Sequence, residues 1–237
     1  MKIGLALLNR NEVEALPHFL AKLDVSNFDA VFVVDGGSTD GSREVLLHNH
    51  LKVIDQESKG RGQAFSIAFQ EAKRLELDAL VFISTDGNED PSDLPKFIQG
   101  ILNGFELVIA SRMLPDSRNE EDDSIFRPRK AANKVFAYIA FFMFSNGSPR
   151  LTDPINGYRA MSLDAWNKMD LDYSGYDIEF ATSIQAYRLG MKVLEFPTFE
   201  GDRLGGESGA RALPTTLAML RVLNRMRKLE KKHVKRF

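Results

Sequence analysis

The 237-residue chain contains no cysteine and a single tryptophan. Without thiols there is no disulfide framework, no thiolate metal site and no cysteine nucleophile, so any metal must bind through oxygen or imidazole and a reducing compartment is permitted. Long apolar runs are missing too. The longest, Val135 to Phe144, falls well short of the ~20 residues needed to span a bilayer. Nothing around Met1-Lys2-Ile3-Gly4 resembles a small-residue cleavage site, so the sequence predicts a cytoplasmic protein, peripheral if it meets a membrane at all. Neither charge sign dominates: 31 Lys and Arg stand against 33 Asp and Glu, a net charge of −2, which argues against a nucleic-acid partner. The distribution is uneven, however, because Arg221 to Phe237 holds eight Lys or Arg and one Glu. What remains, 43% hydrophobic and 27% charged residues, is the composition of a globular chain able to bury its own core.

Short apolar or β-branched runs bounded by polar turns occur at Ile3–Leu8, Ala30–Val34, Leu51–Ile54, Ala79–Ile83 and Glu106–Ala110. Between them Val13, Leu16, Phe19, Leu20 and Leu23, then Ala64, Ile67, Ala68 and Ala72, recur at helical spacing. Pro91-Ser92-Asp93 is the start signal of a helix running to Leu102. Strand and helix alternating in this way predict an α/β fold, a mostly parallel sheet with helices on both faces. Met113 to Arg129, with two prolines and the acidic run Asn119-Glu120-Glu121-Asp122-Asp123, reads as a mobile surface loop. Helices at Arg129–Ser145 and Tyr176–Leu189, a strand at Lys192–Phe196 and a long basic helix from Pro214 are expected after it.

Ligands on such sheets bind beyond the carboxyl ends of the strands. The second strand runs into Asp35-Gly36-Gly37-Ser38-Thr39-Asp40-Gly41-Ser42, a carboxylate followed by a turn in which glycines permit close approach of a nucleotide. The fourth runs into Asp86-Gly87-Asn88-Glu89-Asp90-Pro91. There Asp86 and Asn88, two residues apart, can share one divalent ion while a diphosphate completes its coordination. Each motif alone is also an ordinary turn. No Gly-x-Gly-x-x-Gly follows the first strand, which argues against a dinucleotide-binding dehydrogenase.

In combination these motifs resemble the family 2 glycosyltransferases of the GT-A fold, over Ile3 to about Arg211. Arg10-Asn11-Glu12 stands where that family usually has Tyr-Asn-Glu. Asp35-Gly36-Gly37-Ser38-Thr39-Asp40 matches Asp-Asp-Gly-Ser-x-Asp with Gly36 in place of the second Asp. Lys59-Gly60-Arg61-Gly62 matches a basic Gly-rich turn, Asp86-Gly87-Asn88 the metal motif Asp-x-Asp, and Ala110-Ser111-Arg112 a Gly-Ser-Arg. Later runs, Asp153-Pro154-Ile155-Asn156-Gly157-Tyr158-Arg159, Gly175-Tyr176-Asp177-Ile178-Glu179, Glu195-Phe196-Pro197 and Arg203-Leu204-Gly205-Gly206-Glu207-Ser208, resemble the dolichyl-phosphate mannosyltransferase and polyprenyl-phosphate glycosyltransferase branch. That branch often has Lys after Gly-x-Ser, where this chain has Gly209, with Arg211 a candidate substitute.

The resemblance implies a Rossmann-like GT-A domain over 1–212, a basic amphipathic helix over 213–237, and an inverting, metal-dependent transfer from a UDP- or GDP-sugar to a polyprenyl phosphate. It implies Mg²⁺ or Mn²⁺ on Asp86 and Asn88, with Glu89 or Asp90 as substitutes. Glu12, Asp35, Lys59, Arg61 and Asp86 would face the nucleotide. Arg112, Arg129, Arg159 and Arg203 would face phosphates, through bidentate hydrogen bonds. Asp177, Glu179 and Asp153 would sit on the catalytic, acceptor side; Asp177 is the candidate general base should the acceptor be a hydroxyl, whereas a phosphate needs none. Two rival readings stand beside this one: a soluble transferase acting on a glycan or other hydroxyl, and a non-catalytic nucleotide-binding scaffold, motivated by Gly36 and Asn88. The aromatics of Arg129–Ser145 fit core packing or an interfacial helix. The tail stripe Met219, Val222, Leu223, Met226 and Leu229 fits an anionic membrane surface, the chain's own domain or a homodimer partner.

Overall fold

The computed structural model describes residues 1–123, 127–169, 171, 177–204 and 212–234, with side chains in the last segment from 215 to 230. Gly175, Tyr176, the Gly205–Gly209 run, Arg211 and the last three residues of the basic tail lie outside the described residues. The first half alternates as expected: β1 (Ile3–Asn9), α1 (Leu16–Lys22), β2 (Ala30–Asp35), α2 (Ser42–His48), β3 (Lys52–Asp55), α3 (Arg61–Arg74), β4 (Ala79–Ser84), a 3-10 turn at Pro91–Asp93, α4 (Leu94–Leu102) and β5 (Leu107–Ser111). The second half holds α5 (Pro128–Phe144), β6 (Arg159–Ser162), α6 (Leu163–Lys168), α7 (Ile178–Arg188), β7 (Val193–Pro197) and α8 (Ala212–Val234).

The seven strands form one sheet in the order β3-β2-β1-β4-β6-β5-β7. All neighbours run parallel except β6, which is antiparallel to both β4 and β5. β6 and α6 are absent from the sequence reading, and for a physical reason: four residues beginning with a charged Arg159, followed by a six-residue helix, carry too little periodicity to register.

Strand alternation divides the core. Ile3, Leu5 and Leu7 of β1 pack with Leu16, Phe19, Phe97 and Ile101 on one face, whereas Ala6, Phe32 and Phe82 pack with α3, α5, α7 and α8 on the other. On the second face Phe65 stacks on Phe82 with centroids 4.1 Å apart, and Phe69 on Trp166 at 4.3 Å, pinning α3 and α6 to the sheet. Each such pair contributes about 0.5–1.5 kcal/mol beyond its buried area.

The tail stripe packs on its own domain. Met219, Val222, Leu223 and Met226 are buried in the same cluster as α7, leaving Leu217 and Leu220 outside with Arg221, Arg227 and Lys228. In α5 Phe136, Ala137, Ala140 and Phe144 face inward, while Val135, Tyr138, Phe142 and Met143 are exposed. Among the described residues no helix is long and apolar enough to cross a membrane.

The acidic loop is held down where it is described. Arg118 bridges to Phe199, the Glu121 carboxylate accepts the Lys130 N–H at 2.9 Å, and Glu120 pairs with Arg129 at 2.6 Å. Carboxylates thus compensate the exposed N–H groups and clustered cations at the start of α5.

Candidate functional site

The parallel register brings the ends of β1, β2 and β4 to one edge, with Asn9 opposite Asp35 and Leu8 opposite Ser84. Asn9 ties the three together, donating to Asp35 Oδ1 at 2.7 Å and accepting from Thr85 Oγ1 at 2.7 Å. Asp35 is 1% exposed and also accepts the Ser38 hydroxyl at 2.6 Å and the Ser38 N–H at 2.9 Å. Its carboxylate therefore shapes the Ser38 turn from inside. Asn9 went unnoticed in the sequence because it closes an apolar run as an unremarkable polar residue; its signal was its place at a strand end.

Beyond β1 the chain turns through Asn11, at φ +55°, and is strapped to the next turn: Asn11 and Glu12 donate their N–H groups to Ser38 and Ser42. That places the buried Glu12 near the β4 exit. Asp86, also buried, and Glu12 share one counter-ion, the Arg203 guanidinium, which donates to Asp86 and lies 3.8 Å from Glu12. Glu12 Oε2 and Arg203 Nη1 are buried with no hydrogen-bond partner. Burial, then the Asp86 charge, push the Glu12 carboxyl up to about 7 against the pull of Arg203. The segment carrying Arg203 is fixed by backbone bonds from Gly201 to Asn88 (2.8 Å) and from Leu204 to Asp86 (3.3 Å). Gly87, at φ +78°, leaves room for Leu204, whose Cδ1 would lie 2.8 Å from a Cβ there.

Asn88 is partly buried beside this cluster. Its neighbours are engaged elsewhere: Glu89 bends back to accept the Ser84 N–H at 2.6 Å, and Asp90 accepts from Ser92 at 2.9 Å to open the 3-10 turn. Burial and then Asp86 raise the Glu89 carboxyl as well. Among the described residues no three His, Asp or Glu side chains form a ready metal cage. The donor set nevertheless fits a hard cation. Two buried carboxylates, one with an orphaned oxygen, already face a positive charge at the point where the motif predicts Mg²⁺ or Mn²⁺.

A second cluster lies at the β5 exit. Arg112 donates from Nε (2.8 Å) and Nη2 (3.1 Å) to the fully buried Asp153 and from Nη1 (2.9 Å) to Glu200. Asn133 of α5 donates to Asp153 at 2.6 Å, and Glu195 of β7 accepts the Thr152 and Asp153 N–H groups. Burial alone would raise the Asp153 carboxyl, but Arg112 holds it below the usual range. Glu195, in the middle of β7, stands in the Glu195-Phe196-Pro197 run noted in the sequence but was given no role there, and Glu200 was missed because an isolated acid after a strand reads as surface charge.

A third cluster forms under the start of α7. Arg61 pairs with Glu179, whose carboxyl burial raises and whose Oε2 has no hydrogen-bond partner. Arg159 is fully enclosed, donating to the carbonyls of Asn156 (2.7 Å), Pro154 (3.2 Å) and Glu179 (2.9 Å) and to Thr182 (2.7 Å). Asp177, one position ahead of α7, is partly buried and makes no capping hydrogen bond through its side chain. Lys59 and Arg129 are exposed. The structure therefore unites Glu12, Asp86 and Arg203, sets Asp35 beside them through the strand register, and joins Arg112 to Asp153 and Arg61 to Glu179 as separate pairs.

The family model for glycosyl transferase family 2 matches residues 8–166. An undecaprenyl-phosphate mannosyltransferase of Micrococcus luteus is 28% identical over 218 residues, 88% of this chain and 87% of that protein. Glycosyltransferase AglJ of Haloferax volcanii is 27% identical over 188 residues, 79% of this chain, which spans 59% of that relative's length. A crystal structure of glucosyl-3-phosphoglycerate synthase from Mycobacterium tuberculosis, in complex with Mn²⁺ and UDP-glucose, shares the fold with a TM-score of 0.63 at 21% identity, over 93% of this chain and 75% of that one. With two thirds of its length inside that family match and with the sheet of a GT-A enzyme, the chain belongs to glycosyl transferase family 2.

Proposed function

We propose that the chain transfers a hexosyl group from a nucleoside-diphosphate sugar to a polyprenyl phosphate. The observation that carries this reading is the pair of buried carboxylates, Glu12 and Asp86, converging on one cation at the carboxyl ends of β1 and β4. In the reaction the bond between the anomeric carbon and the diphosphate breaks as a new one forms to an acceptor oxygen. Negative charge then grows on the departing diphosphate, and positive groups aimed at it lower the barrier. A divalent ion held by Asp86 and Asn88 would supply part of that neutralisation. Arg203, already at the same edge, supplies the chain's own share, and Asp35, Glu12, Lys59 and Arg61 lie on elements that border the nucleotide side. Arg112 and Arg159 act as internal struts that hold the Asp153 loop and the start of α7.

On the acceptor side Asp177 and Glu179 open α7, and Arg129 stands at the start of α5. A phosphate acceptor arrives as an anion and needs no base, whereas a hydroxyl acceptor would draw on Asp177. The undecaprenyl-phosphate mannosyltransferase resemblance supports a lipid acceptor. So does the exposed face of α5, where Phe142 is 79% exposed beside Tyr138, Val135 and Met143, with Arg150 4.5 Å from the Tyr138 ring centroid. Aromatics fringed by cations suit the interface of an anionic membrane. The test is transfer of labelled sugar from UDP- and GDP-sugars, with Mn²⁺, to a short polyprenyl phosphate in detergent. Labelled lipid supports the reading; label reaching only glycan or small hydroxyl acceptors, or tight nucleotide binding without turnover, overturns it.

A further inference from the structure

Two departures from the family pattern, Arg10 for Tyr and Gly36 for Asp, meet on the next rung of the sheet. Asn9 pairs with Asp35 in register, and the Gly36 N–H donates to the Asn9 carbonyl at 2.8 Å, so Arg10 and Gly36 leave their strands side by side. A Cβ at Gly36 would lie 3.2 Å from Cδ and 3.3 Å from Cβ of Arg10. The arginine stem thus covers the place where a side chain at 36 would stand. Gly36 is not held by backbone strain, since its φ is not in the left-handed region. The absence of a side chain at Gly36 and the course of the Arg10 stem thus go together.

The neighbouring groups fix what this guanidinium faces. Asp35 turns its carboxylate inward to Asn9 and Ser38, Arg43 is paired with Asp55 at 3.0 Å, and Asp40 accepts from Val13 and Ser42. Arg10 itself is exposed, and the structure gives it no hydrogen bond or ion pair. At this edge the exposed group is therefore a fork of hydrogen-bond donors, while the carboxylates of Asp35, Asp40 and Asp55 are engaged.

We infer that Arg10 reads the base of the donor nucleotide and selects a base edge bearing two adjacent acceptors with no donor between them. This rests on the proposed nucleotide-sugar site and deepens it. Guanine presents such an edge at O6 and N7, the pair a guanidinium binds in bidentate fashion. Cytosine presents one at O2 and N3. Uracil and thymine interpose an N–H between their carbonyls, and adenine sets an amino group beside N7, so either would oppose a donor to a donor. The cost of leaving that mismatch in a partly desolvated contact discriminates against them.

The test is calorimetric titration of the purified chain with GDP, CDP, UDP and ADP, each with Mn²⁺. The wild type should bind GDP or CDP at least tenfold more tightly than UDP and ADP, and which of the two binds names the base. Arg10→Met should remove that preference and leave UDP affinity within about twofold, because Arg10 is an exposed group whose loss does not unfold the chain. Gly36→Asp, which puts a carboxylate against the guanidinium, should act the same way, and Arg10→Lys should recover only part of the preference, a point charge replacing a fork. Preferred binding of UDP, or a GDP or CDP preference that survives Arg10→Met, overturns the inference while leaving the nucleotide site intact. Failure of every nucleotide to bind overturns the site and the inference with it.

Discussion

Removing the Asp153 carboxylate tests whether the β5-exit cluster is an internal strut. Asp153 accepts four hydrogen bonds, from the Arg112 N–H at 3.0 Å, its Nε at 2.8 Å and Nη2 at 3.1 Å, and Asn133 Nδ2 at 2.6 Å, in a fully buried setting. Breaking a buried ion pair from one side costs about 3–5 kcal/mol, because the remaining charge is left uncompensated. Glu200 still holds Arg112 Nη1 at 2.9 Å, which places Asp153→Ala near the lower end, about 3 kcal/mol. For a domain of this size that lowers Tm by roughly 6–12 °C. Combining it with Arg112→Met should cost clearly less than the sum of the two single changes, with a coupling of about 1–3 kcal/mol in urea unfolding at pH 7. Because the folded-state carboxyl is held below its ordinary value, its stabilisation is present above about pH 4 and fades as the pH falls through the acid range. A loss below about 1 kcal/mol, or strict additivity with Arg112→Met, would refute the strut. Full stability with lost turnover would instead place Asp153 in direct contact with substrate.

Glu71 is paired with Lys52 at 2.5 Å and Arg74 at 2.7 Å, and those hydrogen bonds, Arg74's foremost, hold its carboxyl at about 2 despite burial. The full separation from its ordinary value corresponds to ~3 kcal/mol, and screening at the half-exposed cations reduces that to about 1–2. Glu71→Gln should therefore destabilise by that amount near pH 7, with the difference from wild type shrinking between about pH 5 and 2; a difference independent of pH would contradict the pairing. Arg203→Met should tighten Mn²⁺ binding in the absence of nucleotide, since the guanidinium no longer shares Asp86 and Glu12, and weaken nucleoside diphosphate binding; calorimetry showing neither effect would remove Arg203 from the site. Substituting both Phe142 and Tyr138 by Ser should reduce co-sedimentation with anionic vesicles while stability changes by less than about 0.5 kcal/mol per site. Unchanged vesicle binding would assign that face another partner.

The strands that build the site were legible because β1, β2, β4 and β5 are largely buried and read as continuous apolar runs that close on a polar residue, Asn9, Asp35, Ser84 and Ser111. The side of the sheet beyond β4 was less so. β6 opens with Arg159, a charge that reads as surface but fills a cage of carbonyls made by Pro154, Asn156 and Glu179, which no spacing rule encodes. The helix expected at Tyr176–Leu189 is present as α7, Ile178–Arg188, but it is buried around nearly its whole circumference and lacks the amphipathic period of α4, so its inward face could not be read in advance. Asp86 was legible from its motif, yet its pairing with Arg203, 117 residues away, depends on the course of the segment after β7. Arg112 and Asp153 were both singled out for ligands, and only tertiary structure shows that they face one another.

The central claim is that Asp86 is the anchor of a cation and nucleoside-diphosphate site at the β1–β4 edge. It is tested most directly by titrating Mn²⁺ into wild type and Asp86→Ala with a nucleoside diphosphate present, following free Mn²⁺ by electron paramagnetic resonance. Wild type should bind one Mn²⁺ whose affinity rises with nucleotide, and Asp86→Ala should lose at least tenfold, about 1.4 kcal/mol, and the coupling with it. Equal Mn²⁺ affinity in the two proteins, or no coupling to nucleotide in the wild type, would contradict the account.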